Sequence, residues 1–127
     1  MKLLTPDQYT AAPATLQLAN DLDPQDQDLA GVARIELNFP KFSDGRAFSQ
    51  AFLLRRRRDF AGELVATGDV LADQLAQMRR AGFDLAVLRA DQKLATAERV
   101  LASYPGYAVG RYQGDAEQVA PRFKETA

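Results

Sequence analysis

The sequence predicts an α/β fold with a small, mainly parallel sheet of four to five strands and about three crossover helices. After residue 30, stretches typical of strands alternate with stretches in which apolar residues recur every three or four positions. Each helical stretch has about the dozen residues that a crossover between parallel strands needs. With 127 residues, the chain can form one hydrophobic core but not two.

The predicted elements follow one another without long interruptions. Ile35, Leu37 and Phe39 alternate with polar neighbours, which indicates a strand over 32–39 that Pro40 ends. Apolar residues at helical spacing then predict a helix within 45–59. The same criteria predict a strand at 63–67, a helix at 70–81, a strand at 85–88, a helix from 94 to 104 and a strand at 107–112.

The amino-terminal part is less regular, with one strand expected at 14–19 and an acidic loop at 20–28. We therefore divide the chain into an amino-terminal segment at 1–30, an α/β domain at 31–113 and a polar tail at 114–127. Three helices cannot cover both faces and both edges of such a sheet. We expect the amino-terminal segment to cover what remains, and a homodimer is the alternative.

Composition excludes several kinds of chemistry, because the chain has no cysteine and no histidine. Thiolate catalysis, disulfides and iron–sulfur ligation are therefore ruled out, and the commonest general base and transition-metal ligand are missing. No cofactor motif occurs, since neither GxxxxGK[ST] nor GxGxxG is present. We expect no cofactor.

The charge balance of 16 basic and 17 acidic residues argues against a general nucleic-acid or membrane binder. No apolar run approaches the roughly 20 residues of a membrane span, and the first residues do not resemble a secretory signal. We therefore expect a cytoplasmic protein.

The run Arg55–Arg58 suggests a nucleic-acid contact at first sight. Consecutive helical residues point about 100° apart, so four of them cannot form one basic face, and at least one must lie near the buried side. The run also ends a helix, where cations are favoured. We interpret it as a solvated last turn that contributes to an interface with an acidic partner.

An aspartate lies at or next to each predicted helix start. Parallel strands have their carboxyl ends at one edge of the sheet, so these residues should share that edge. Aspartate is a preferred N-cap, which explains each of them separately. A divalent-cation site is the weaker alternative. The row consists of Asp44, Asp69, Asp91 and Asp115, of which the first three are the metal candidates.

The loop after the strand at 32–39 is the richest in polar groups. A cation, hydroxyls and free amides at a helix start suit a small oxyanion or a docking partner. In the alternative interpretation it is an ordinary capped loop in which Arg46 pairs with Asp44 or Asp69. Together with polar residues after the next strand, the anion- or partner-binding candidates are Lys41, Ser43, Asp44, Gly45, Arg46, Ser49, Asp69, Asp73 and Gln74.

Glu63 and Asp73 are the best internal pair for acid–base chemistry. No nucleophile or cofactor motif accompanies them, so hydrogen bonding that fixes a strand–helix corner is the favoured role.

Three segments carry a family resemblance: FPKFSDGRAFSQ at 39–50, GELVATGDVLADQ at 62–74 and AGF at 81–83. The chain resembles, over about residues 31–90, an uncharacterised bacterial domain family. Its members are often labelled as oxidoreductases involved in sulfite reduction and are encoded beside assimilatory sulfite and adenylyl-sulfate reductase genes. The motif positions are Pro40, Phe42, Asp44, Gly45, Arg46, Ser49, Arg55, Gly62, Glu63, Gly68, Asp69, Asp73, Gln74, Arg80, Gly82 and Phe83.

Two positions depart from the family pattern: Val65 replaces a common arginine, and Ala81 replaces a common cysteine. If that cysteine were a redox group, this member could not use it. The resemblance therefore implies a non-catalytic accessory protein of sulfite reduction that binds the reductase or an electron carrier. The alternatives are a small enzyme or sensor for an oxyanion or phosphometabolite, and a structural, oligomerising α/β module.

Overall fold

The computed structural model describes residues 1–103 and contains one five-stranded, fully parallel sheet. The sheet order is β1-β5-β4-β3-β2. The strands are β1 (Lys2–Leu4), β2 (Thr15–Leu18), β3 (Arg34–Phe39), β4 (Glu63–Gly68) and β5 (Leu85–Val87). The α-helices are α1 (Arg46–Arg56), α2 (Leu75–Ala81) and α3 (Leu94–Ala102). The predicted α/β class with a mainly parallel sheet is confirmed.

The helices and one face of the sheet form the core. Alternation along the strands places Ile35, Leu37 and Phe39 of β3 on that face, and none of the three is exposed. The helices contribute residues at helical spacing, among them Ala51, Leu54, Leu75, Met78, Ala97 and Leu101. The apolar periodicity therefore identified the elements because it reports this shared burial.

The opposite face carries a smaller cluster, in which Val65, Leu85 and Val87 are buried and pack with Leu4 and Tyr9. It also holds the buried carboxylate of Glu36, whose register partners are Gln17 and Val65. Tyr9 Oη donates to this carboxylate at 2.5 Å and Gln17 Nε2 donates to it at 3.1 Å. Burial, together with the bond to Glu36, raises the pKa of Tyr9 to about 12.

The segment before residue 31 supplies both outer strands of the described sheet. β1 pairs with β5, and β2 pairs with β3. The strand expected at 14–19 is present as β2, whereas β1 was not predicted. Three residues are too few for a periodic pattern, and the partner of β1 lies about eighty positions further along the chain.

Element boundaries differ from the predictions at several points. The helix expected from residue 70 begins only at Leu75, after a 3₁₀ turn at Ala72–Gln74. Val70 is instead buried, and its carbonyl accepts a hydrogen bond from the amide of Arg89 (3.0 Å). This bond holds residues 69–71 against the end of β5. The acidic loop at 20–28 contains a 3₁₀ turn at Pro24–Asp26. The strand expected at 107–112, the tail at 114–127 and Asp115 lie outside the described residues.

No helix within residues 1–103 is long and apolar enough to cross a membrane.

Candidate functional site

The loop from Pro40 to Gly45, between β3 and α1, presents an exposed aromatic side chain at the carboxyl end of the sheet. The side chain of Phe42 is 54% exposed, although its backbone N–H and its carbonyl oxygen are both hydrogen-bonded. Its N–H donates to Asp69 Oδ2 (2.9 Å), and its carbonyl accepts from Gln74 Nε2 (2.5 Å). The ring is therefore presented to solvent from a backbone that is anchored to the next βα junction.

The position of Asp69 depends on Gly68, the last residue of β4. Gly68 has φ +92°, a backbone conformation that residues with a Cβ atom rarely adopt. A Cβ at this position would lie 2.5 Å from the carbonyl oxygen of Phe39. The close approach lets the amide of Asp69 donate to that oxygen at 2.7 Å, which brings the Asp69 carboxylate under the loop of Phe42.

Arg89, which follows β5, joins two of the predicted aspartates. Its Nη1 donates to Asp69 Oδ1 (2.8 Å), and its Nε and Nη2 donate to both carboxylate oxygens of Asp91 (2.6 and 2.7 Å). Hydrogen bonds from Arg89 lower the pKa of Asp91 to about 2. The pKa of Asp69 is lowered by its bond with Arg89 and, to a smaller extent, by its bond with the amide of Phe42. Both carboxylates are held in the ionised form.

Arg46, at the start of α1, pairs with Asp44 rather than with Asp69. Its Nε and Nη2 donate to the two oxygens of Asp44 (3.2 and 3.0 Å), and its backbone amide donates to Oδ1 (3.0 Å). Asn20 Nδ2 adds a bond to Oδ2 (2.9 Å). These bonds, those of Arg46 first, lower the pKa of Asp44. Asp44 thus binds the first turn of α1 from the position before the N-cap, which is Gly45 and not the aspartate that the N-cap interpretation expected.

Asp69 and Asp91 do not cap helices. Asp69 supports a loop and Asp91 pairs with Arg89, while the N-cap of α3 is Lys93. The loops between the strands and α2 and α3 are longer than the short connections that N-capping assumed. Asp69 therefore binds the neighbouring Phe42 loop, and Asp91 pairs within its own loop. Residues 1–103 contain no group of three or more acidic residues placed to hold a metal ion.

The remaining candidates from the loop are exposed. The side chains of Lys41, Ser43, Ser49 and Asp73 have no hydrogen-bond partner among the described residues. Gly45 has φ −88°, and a Cβ there would meet nothing within 4 Å, so the described structure does not require glycine at this position. At the carboxyl end of the sheet, Asp69 and Gln74 therefore bind the Phe42 backbone and Asp44 pairs with Arg46, whereas the other candidates are exposed.

Glu63 and Asp73 do not form a pair. Glu63 begins β4 at the amino end of the sheet and accepts from Arg34 (2.8 Å), whereas Asp73 follows the carboxyl end of the same strand. Glu63 therefore joins two neighbouring strands and not a strand–helix corner, and the side chain of Asp73 has no hydrogen bond within the described part of the chain.

The arginine run divides as the helix geometry predicted. Arg55 turns inward, and Arg58 donates to the carbonyls of Pro24 and Gln27 (2.7 and 2.9 Å). Arg56 and Arg57 are exposed.

Phe42 and Arg89 were absent from the candidate set, although both are central to the site. An aromatic residue between Lys41 and Ser43, inside an otherwise polar loop, is a signal that could have identified Phe42. Nothing in the sequence near Arg89 indicates that it bridges two aspartates, since Asp69 is twenty residues away.

The sequence profile of the family described as "Bacterial protein of unknown function (DUF934)" matches residues 15–123, and the chain belongs to this family. No curated protein and no solved structure matches the chain.

Proposed function

We propose that this member of the bacterial family of unknown function is a non-catalytic accessory protein of assimilatory sulfite reduction, acting in the cytoplasm. It binds the sulfite reductase or the electron carrier that serves it. The link to sulfite reduction rests on the resemblance of the segments at 39–50, 62–74 and 81–83 to a family encoded beside the reductase genes.

The observation that carries a binding role is the rigid presentation of Phe42. An aromatic side chain that is exposed before binding, on a backbone already fixed by Asp69 and Gln74, gains contact area without the entropic cost of ordering a loop. Aromatic anchors of this kind dominate the binding energy of protein interfaces. Two polar family residues, Asp69 and Gln74, are engaged in holding the backbone of Phe42, which favours a binding role over a catalytic one.

The test is the affinity of the purified chain for assimilatory sulfite reductase from the same bacterium, measured by biolayer interferometry, with the electron carrier as a second immobilised partner. We expect Phe42→Ser to weaken binding at least tenfold, roughly 1.4 kcal/mol or more. Gln74→Ala should weaken it less, because it removes only one of the two bonds that hold the Phe42 backbone.

Leu22→Ser is the matched control, since Leu22 is another large apolar residue exposed on a loop, at 45%. We expect its affinity to equal that of the unmodified chain. If neither partner binds, and if deletion of the gene leaves growth on sulfate as sole sulfur source unchanged, the accessory role is wrong.

A small oxyanion such as sulfite or phosphate is a second candidate ligand for the same loop. It is favoured by Lys41 and Ser43, which are exposed beside Phe42 and have no partners among the described residues. The carboxylate of Asp44 argues against it, because it already accepts from the Arg46 guanidinium and repels a second anion.

A further inference from the structure

A groove of about 450 Å³ lies between the exposed sides of α1 and α2. Phe52 is 37% exposed at its edge, although large apolar residues on helices are usually buried. Phe48, one turn earlier, is half-buried and packs edge-on against Phe39, with ring centroids 5.0 Å apart. The described residues that line the groove are Phe48, Ser49, Phe52, Gln77, Arg80 and Ala81.

The groove is bordered by two arginines that have no acidic partner among the described residues. The guanidinium of Arg56 lies over the ring of Phe52 at 5.1 Å, and Arg80 lines the groove. Both side chains are exposed, and neither forms an ion pair with any residue in 1–103.

Arg56 and Arg80 differ from four other arginines of residues 1–103, each of which forms an ion pair with an aspartate or a glutamate. No acidic residue is among the described residues that line the groove. An apolar floor bordered by arginines that no carboxylate within residues 1–103 neutralises is complementary to a segment that carries both carboxylates and an apolar side chain. The arginines with acidic partners are Arg34, Arg46, Arg55 and Arg89.

The groove begins close to the Phe42 loop. Gln74, which binds the carbonyl of Phe42, precedes α2 directly, and Gln77 lines the groove three residues later. A partner that contacts Phe42 can therefore continue along α2 into the groove.

We propose that the α1–α2 groove is the docking site for an acidic segment of the protein partner, with one apolar side chain against Phe48 and Phe52 and carboxylates at Arg56 and Arg80. This inference rests on the proposed function, whose partner it describes by charge and shape.

The first experiment measures the affinity of the Arg56→Glu/Arg80→Glu double variant for the reductase or carrier at two salt concentrations. We expect a loss of at least tenfold at low salt and a weaker salt dependence of the remaining binding. Arg99→Glu is the control, because Arg99 is an exposed arginine on α3 that does not line the groove. It should bind as the unmodified chain does. Unchanged affinity of the double variant, with Phe42→Ser still defective, overturns the groove and leaves the proposed function intact.

The second experiment does not need the reductase. A synthetic twelve-residue peptide of alternating Glu and Leu, and its Lys and Leu counterpart, are added to the ¹⁵N-labelled chain. We expect amide shifts along α1 and α2 with the acidic peptide only, and their loss in the double variant. Shifts elsewhere, shifts with the basic peptide, or no shifts overturn the proposal even if the reductase does not bind. A single-stranded oligonucleotide that displaces the acidic peptide would assign the groove to nucleic acid instead.

Discussion

The two ends of the sheet both use arginine and aspartate, but in different environments. At the amino end, Arg55 is 7% exposed and donates to the carbonyls of Phe60, Gly62 and Gly82 and to Asp84, which it contacts at 2.5 Å. At the carboxyl end, Arg46 is 65% exposed and Arg89 is 39% exposed.

The difference lies in what each arginine holds in place. Arg55 joins the chain segments that enter β4 and β5, because Asp84 also accepts the amide of Leu64 (3.0 Å). When a buried guanidinium that donates to several acceptors is removed, all of these acceptors lose a hydrogen bond. Arg46 and Arg89 hold loops that water can also solvate. The amino end therefore supports the fold, and the carboxyl end arranges a surface.

Arg55→Ala should have the largest effect, lowering the free energy of unfolding by about 2–3 kcal/mol, because three backbone carbonyls and the partly exposed Asp84 carboxylate lose their donor. Urea denaturation followed by circular dichroism measures it. Arg57→Ala is the matched control from the same run, exposed and expected to change the free energy by less than about 0.5 kcal/mol. Similar values for the two variants would remove the contrast between the ends of the sheet.

Acid should weaken the carboxyl end next. The pKa values of Asp69 and Asp91 are lowered in the folded chain, to about 2 for Asp91, so their ionised forms favour folding at any pH above the unfolded value of 3.8. This contribution is lost as the pH falls from about 4 towards 2. Urea midpoints measured across that range should fall more steeply for the unmodified chain than for Asp91→Asn. Parallel curves for the two proteins would show that the Arg89–Asp91 pair contributes nothing.

Arg46→Ala should have the smallest effect, because its ion pair is exposed and surface pairs contribute little. We expect an unchanged Tm, and no shift of Tm when millimolar sulfite or sulfate is added to either protein in a thermal-shift assay. A stabilisation by sulfite that Arg46→Ala abolishes would instead support the oxyanion alternative and make the exposed end a ligand site.

The sequence predicted the central part of the fold because burial there follows local periodicity. Ile35, Leu37 and Phe39 alternate along β3, and the apolar positions of α1 and α3 recur at helical spacing, so each element carries its own signal. β1 has no such signal, since Lys2–Leu4 is defined by its pairing with a distant strand. The start of α2 was misplaced because Val70 looks like a helical apolar position but is buried in a loop.

The candidate site was predicted in location but not in detail. The parallel sheet places Asp44, Asp69 and Gln74 at one edge, as expected from the positions of the strand ends. Their roles depend on which loop each side chain reaches. Asp69 binds the backbone of Phe42, twenty-seven residues away, and no spacing rule predicts that contact.

By itself, the sequence determined the α/β class, the parallel strands and the end of the sheet where polar residues collect, because these follow from periodicity and from the alternation of strands and helices. Only the tertiary structure decided that the Arg55 side chain is buried while Arg56 is exposed, and that the polar loop at 40–45 presents Phe42. Both depend on neighbours far away in the chain, since the energy of a charge or a ring is set by the groups packed around it and not by the residues beside it in sequence.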